Sequence, residues 1–243
     1  MSDAQGSKIY TAWIVLVLAV LLPPLWVALR LVPEGRRSRA MVRRCARAVV
    51  ACTRCRVTLR GQEHVAALEH GMFVSNHSSM ADAAFLLAAL PVDVQFIANH
   101  TSARYPILGL AVRRASYFIV DRGSWRGRAE CAKAMVTALK GGHSLLVFPE
   151  GTTAEAGGML PFRSGAFRAA AQSGSMIVPI AVTGTRTMFP ASGWLSRARI
   201  DIEILPPLST KGVTREAVAE ARDAAAAAVA KRLTGGEARV FLG

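Results

Sequence analysis

The chain of 243 residues predicts an α/β fold, a mixed and largely parallel sheet flanked by helices, preceded by an N-terminal membrane helix or helical hairpin. Three observations predict it. From Arg56 onward, short β-rich apolar runs alternate with helical stretches, the rhythm of helices covering a largely buried sheet. A stretch from Ile9 to Val32 carries no charge before Arg30, and it is long enough to cross a bilayer, which needs about 20 apolar residues. The hydrophobic content of 52%, with mean hydropathy +0.31, exceeds the roughly 45–50% of soluble domains, and the excess lies near the N-terminus.

Residues 1–35 read as a membrane anchor. The apolar core is too long for a cleaved signal peptide, and no small-x-small site precedes the arginines. Pro23 and Pro24 are expected to interrupt the helix, since proline lacks the N–H and clashes with the preceding turn; a kinked span and a re-entrant hairpin both fit. Residues 36–55 follow as a basic amphipathic helix at the lipid headgroups. Between Arg36 and Arg60 stand nine arginines and no acid, within a formal net charge of +14. Such a block attracts any phosphate array. Its place directly after the apolar stretch points to an anionic membrane surface, and with no base-reading signature nucleic acid is not an expected partner. The positive-inside bias puts the rest of the chain on the cytoplasmic face, in a cell inner membrane. The cysteines at 45, 52, 55 and 131 are too few for a disulfide framework. Cys52 and Cys55 have no second CxxC or HxxxH to complete a zinc site, so they read as small packing residues.

The catalytic domain is expected over residues 56–243. Its strand candidates are Arg56–Leu59, Met72–Ser75, Val94–Ala98, Tyr117–Val120, Ser144–Phe148, Met176–Val182 and Arg199–Leu205. Helices are expected at Asp82–Leu90, Ile107–Arg114, Gly127–Lys140 and Ser164–Gln172, and Thr214 is placed to cap a last helix ending at Leu233.

Four segments carry candidate chemistry. Asn76-His77-Ser78-Ser79-Met80-Ala81-Asp82 occupies a strand-to-helix turn, where side chains project from the sheet edge. His77 can accept a proton near neutral pH, and Asp82, folded back toward the ring, can orient it and stabilise the imidazolium. Tyr117-Phe118-Ile119-Val120-Asp121-Arg122-Gly123 ends a strand with Arg122, a bidentate phosphate ligand by type. Val147-Phe148-Pro149-Glu150-Gly151-Thr152-Thr153 leads through a glycine-rich loop to Leu160-Pro161-Phe162-Arg163. There Glu150 can accept from substrate hydroxyls, Gly151 permits close backbone approach, and Arg163 adds charge at a helix start. In Ile177-Val178-Pro179-Ile180-Ala181-Val182, Pro179 suggests an edge or bulged strand.

In order and spacing these segments resemble the four motifs of the PlsC-like glycerolipid acyltransferases, the family of the 1-acylglycerol-3-phosphate acyltransferases. The resemblance spans about residues 56–205. It implies the glycerol-3-phosphate acyltransferase-like fold and a one-step transfer without cofactor or metal. His77, oriented by Asp82, deprotonates the free hydroxyl of a lysolipid, which attacks the thioester of acyl-CoA or acyl carrier protein. By resemblance Arg122, Glu150, Gly151, Thr152 and Arg163 bind the acceptor, and Pro179 with Ile180 line the acyl donor. Two departures bear on the acceptor. The lysophosphatidate enzymes usually read EGTR where this chain has Thr153, and a lysine common before the second motif is replaced by Asn99. Enzymes acylating lyso-ornithine lipid resemble the EGTT form, so that lipid is the alternative to 1-acylglycerol-3-phosphate. A serine hydrolase lacks its G-x-S-x-G elbow here, and a non-catalytic basic membrane protein leaves the four ordered segments unexplained.

Overall fold

The computed structural model describes residues 6–99, 106–120, 124–153, 158–190, 192–210 and 212–233. Two helices lead, α1 (Lys8–Leu31) and α2 (Arg36–Thr53). There follow β1 (Arg56–Arg60), β2 (Met72–Ser75), α3 (Asp82–Ala89), β3 (Val94–Asn99), α4 (Pro106–Arg114), β4 (Phe118–Val120) and α5 (Trp125–Lys140). The chain continues through β5 (Ser144–Val147), α6 (Gly165–Ser173), β6 (Ile177–Thr183), β7 (Arg199–Ile204) and α7 (Arg215–Leu233). Thr214 Oγ1 accepts from Ala217 N at 3.2 Å, capping α7 as expected.

The strands form one sheet in the order β1-β7-β6-β2-β5-β3-β4. Every neighbouring pair is parallel except β6 with β7. All four residues of β2 and of β5 are buried, because parallel strands are covered on both faces and therefore read as unbroken apolar runs. Alternation divides them between two cores. Met72, Val74, Leu145 and Val147 face α5, α6 and α7, whereas Phe73 and Leu146 pack with Phe85, Leu86 and Leu90 at α3.

Pro179 lies in an interior strand, not at an edge, and the ladder there is bulged. Between the Ile180–Ile204 pair and the Ile177–Leu208 bridge, β6 has two intervening residues, 178 and 179, and the opposing chain has three, 205 to 207. The Pro179 carbonyl accepts from Leu205 N at 2.9 Å, so the proline's missing N–H faces this irregular gap and no bond to β2 is lost.

The interruption expected at Pro23 and Pro24 does not occur, and α1 is one helix of 24 residues. Both prolines are exposed. The helix is held on either side of them by Tyr10, Ile14, Val17 and Leu29, all buried, so packing outweighs the lost backbone bonds. The hairpin is instead formed with α2, which runs antiparallel to α1. Tyr10 Oη donates to Thr53 O at 2.8 Å and Trp13 Nε1 to Cys52 O at 2.9 Å, while Leu29 packs with Val42, Ala111 and Ala115 near the other end. Both ends of α1 meet the chain that follows β1: Ser7 N donates to Leu195 O, and Gly35 N, just beyond the helix, to Arg114 O, each at 2.9 Å.

Three arginines of the basic block bond to the protein. Arg39 pairs with Asp93 at 3.0 Å, Arg47 Nε donates to Ala88 O at 3.1 Å, and Arg43 donates to Leu90 O. Their spacing of four puts them on one face of α2. Two of them, Arg43 and Arg47, satisfy carbonyls at the C-terminal end of α3, where the helix dipole also favours cations. Arg36, Arg37, Arg44 and Arg54 remain exposed.

Candidate active site

The C-terminal ends of β6, β2 and β5 lie side by side at the centre of the sheet. In open α/β sheets this edge is where ligands bind. From β2 the chain enters the 76–82 turn, from β5 the Pro149-Glu150 turn, and from β6 the Gly184-Thr185 turn. Gly184 has φ +88, and a Cβ there would stand 1.8 Å from Arg199 O. Only glycine allows the chain to leave β6 so close to β7 and deliver Thr185 to the centre.

His77 Nδ1 lies 2.9 Å from Asp82 Oδ2. Because a carboxylate oxygen can only accept, Nδ1 carries the proton and the Nε2 lone pair is left as the base. Asp82 is fully buried and saturated. Oδ2 also accepts from Ser78 N at 2.8 Å and Ser79 N at 2.9 Å, and Oδ1 accepts from Thr185 Oγ1. Such donors satisfy a buried carboxylate and fix its orientation. The imidazole ring stacks on Phe148, with centroids 4.1 Å apart and planes 14° from parallel, so the side chain just past the end of β5 sets the ring's tilt.

Glu150 is 2% exposed, and each of its oxygens takes a backbone N–H: His77 N at 2.6 Å and Leu160 N at 2.7 Å. It clamps the β5 turn to both the histidine turn and the 158–163 loop. Burial pushes its carboxyl up to about 7, against the pull of those two N–H groups. Asn76 performs a similar task on the other side, its amide donating to Val182 O at 2.9 Å and accepting from Val182 N at 2.8 Å. This side chain continues the β2–β6 ladder one step past the last backbone pair and locks the turn that carries His77.

Of the residues singled out in the sequence, His77, Asp82, Glu150, Gly151 and Thr152 therefore gather at one edge. Arg163 is exposed just before α6, its N–H bonded to Pro149 O at 3.0 Å. Pro179 and Ile180 are buried on opposite faces of β6, Ile180 in the core beside α3. Arg122 lies outside the described residues. Thr185 was not singled out by the sequence, nor were Asn76 and Phe148 given individual roles, although both stand inside quoted segments; the only sign of Thr185 is the Thr-Gly-Thr that ends an apolar strand. Among the described residues no group of three or more His, Cys, Asp or Glu side chains is placed to hold a metal ion.

A carboxylate–histidine pair at this edge, with the base's free nitrogen set by a buried acid, defines a class of protein equipped for general-base group transfer. The chain belongs to the Acyltransferase family, whose model matches residues 56–183, the stretch that contains the whole pair and its clamps up to Val182. It is similar to the 1-acyl-sn-glycerol-3-phosphate acyltransferase alpha of Mus musculus, 33% identical over 167 residues, 67% of this chain and 58% of that one. It is also similar to the 1-acyl-sn-glycerol-3-phosphate acyltransferase of Limnanthes douglasii, 31% identical over 156 residues, 63% of this chain and 55% of the relative. The chain thus spans little more than half the length of these curated relatives. The crystal structure of PlsC, the 1-acyl-sn-glycerophosphate acyltransferase of Thermotoga maritima, shares the fold, with TM-score 0.76 and 18% identity over 95% of this chain and 97% of that one.

Proposed function

We propose that this protein transfers a fatty acyl group from acyl-CoA or acyl carrier protein to the free hydroxyl of 1-acylglycerol-3-phosphate, giving phosphatidic acid. The observation that carries this reading is the His77–Asp82 pair, its tautomer set by a buried carboxylate that three further N–H and O–H donors hold in place. Nε2 takes the proton of the acceptor hydroxyl as its oxygen attacks the thioester carbonyl. Asp82 balances the imidazolium so formed. Collapse of the tetrahedral adduct breaks the C–S bond, and the departing thiolate takes the proton from Nε2, leaving an ester and a free thiol. Similarity to two 1-acyl-sn-glycerol-3-phosphate acyltransferases supports the acceptor. Arg122 and Arg163 are assigned to its phosphate, and Glu150, Gly151 and Thr152 to its positioning.

The enzyme works at a membrane, on the cytoplasmic face of a cell inner membrane. α1 is long and apolar enough to cross one by length and composition. Its outward side is apolar from Ile9, 83% exposed, to Leu31, 80% exposed, and the arginines that follow it favour the cytoplasmic side.

The test supplies labelled acyl donor with lysophosphatidate or lyso-ornithine lipid as acceptor, to wild type and to His77→Ala. Transfer to lysophosphatidate, lost in the variant, is expected. Near-normal turnover without His77 overturns the mechanism, and preference for lyso-ornithine lipid overturns the acceptor and explains Thr153 as the absence of a phosphate-binding arginine.

A further inference from the structure

A cavity of about 510 Å³ lies away from His77, where the first turn of α1, the end of α2 and the chain before β7 meet. Ile9, Tyr10, Trp13, Arg54, Ser196 and Arg197 line it, and among the described residues that do so there is no acid. Its walls are built before any ligand arrives. The Tyr10 hydroxyl and the Trp13 indole are anchored on Thr53 O and Cys52 O, carbonyls at the end of α2 that have no intrahelical partner. The guanidinium groups stand over these rings, Arg54 at 5.7 Å from the Trp13 centroid and Arg197 at 5.8 Å from that of Tyr10. The N-terminus of α1, whose first turn lines the cavity, contributes its positive dipole end.

Arg54 occupies the C-cap of α2 with φ +54, a left-handed position that glycine usually fills. A long cationic residue held there against its backbone preference directs attention to what its side chain does.

We propose that this cavity is a binding site for the phosphate headgroup of an anionic phospholipid, whose acyl chains lie along the exposed side of α1. The proposal rests on the membrane attachment proposed above. Charge selects an anion, since the charged side chains among the described lining residues, Arg54 and Arg197, are both cationic. The apolar surface selects a lipid over a soluble phosphate, because the cavity opens onto the row Ile9, Trp13, Leu16, Val20 and Val27, all exposed. The site shares the active-site edge of the sheet: β7 runs antiparallel to β6, so the chain before β7 lies where β6 ends. Ser196 bonds to Met188 O and Thr187 O, in the same turn that carries Thr185 to Asp82. A bilayer lipid seated here would orient that edge toward the membrane that supplies the acceptor.

Calorimetric titration of the full chain with dihexanoyl-phosphatidylglycerol, kept below its micellar concentration, tests the site without a bilayer. Wild type is expected to bind, with affinity reduced roughly tenfold or more in R54Q/R197Q, as two lost charge-assisted contacts require. R54G/R197Q, which places the favoured glycine at the helix cap, should fold at least as well and bind as weakly. The pair R36Q/R37Q, with equal loss of charge at the other end of α2, should bind as wild type does. Equal weakening by both pairs, undiminished binding by R54Q/R197Q, or equally effective displacement by coenzyme A or inorganic phosphate overturns the proposal. Flotation with phosphatidylcholine vesicles tests membrane attachment separately, and its failure would leave the calorimetric outcome readable.

Discussion

Replacing Asp82 by Asn isolates the charge of the pair from its geometry. The amide is isosteric, and its oxygen can take the place of Oδ2, still accepting from Ser78 N, Ser79 N and His77 Nδ1. Its NH2 would then face Thr185 Oγ1, which can rotate its hydroxyl and accept. Thr185 can pass its own proton on to Ser78 Oγ, 3.0 Å away. The fold should therefore survive, with a melting temperature within a few degrees of wild type, whereas the imidazolium formed during transfer loses its counter-charge. Two unit charges about 4 Å apart interact by about 4 kcal/mol at an effective dielectric constant of about 20, which corresponds to roughly a thousandfold in rate. The assay is release of free thiol from acyl-CoA at saturating lysophosphatidate, read with a thiol reagent. A variant that keeps the melting temperature and more than about a tenth of the wild-type kcat would refute the assignment of Asp82 as the electrostatic partner of His77.

Thr185→Val removes a buried donor from Asp82 Oδ1 and should cost about 1–3 kcal/mol of stability together with several-fold in kcat; Thr185→Ser should restore both, and an unchanged kcat in the valine variant would exclude a positioning role. Asn76→Ala strands the N–H and carbonyl of Val182 in the core, so a loss of about 2–4 kcal/mol is expected, measured by urea denaturation followed by circular dichroism. Glu150 has its pKa raised from 4.5 to about 7, so the folded chain binds this proton more tightly than the unfolded one. Its contribution to stability is full below about 4.5 and falls away as pH rises through about 7. Glu150→Gln should abolish that slope in a plot of unfolding free energy against pH. It should also lower activity at every pH, because glutamine has one accepting oxygen and its NH2 would face either His77 N or Leu160 N, donor against donor.

Much of the fold is legible from local pattern. Strands such as β2 and β5 are covered on both faces and appear as unbroken apolar runs, and α7 announces itself through Thr214 and its alanines. The pair of His77 and Asp82 is legible for the same reason, since five residues separate them and one turn closes the gap. Thr185 is not, because its bond to Asp82 joins positions 103 residues apart. The role of Glu150 was half legible: an acid in a strand-end turn is visible, but its partner His77 N is 73 residues away. The continuity of α1 was not legible for a related reason, since two prolines weaken a helix locally and only packing along its length decides whether it breaks.

The sequence by itself determined the alternation of strands and helices, the apolar α1 and the nearness of His77 to Asp82, all consequences of periodicity and short-range spacing. Tertiary structure alone decided that β6, β2 and β5 are neighbours. That order brings Thr185, Asn76, Phe148 and Glu150 around one histidine, and local pattern cannot specify it, because strand order is settled by which apolar faces bury one another across the whole chain.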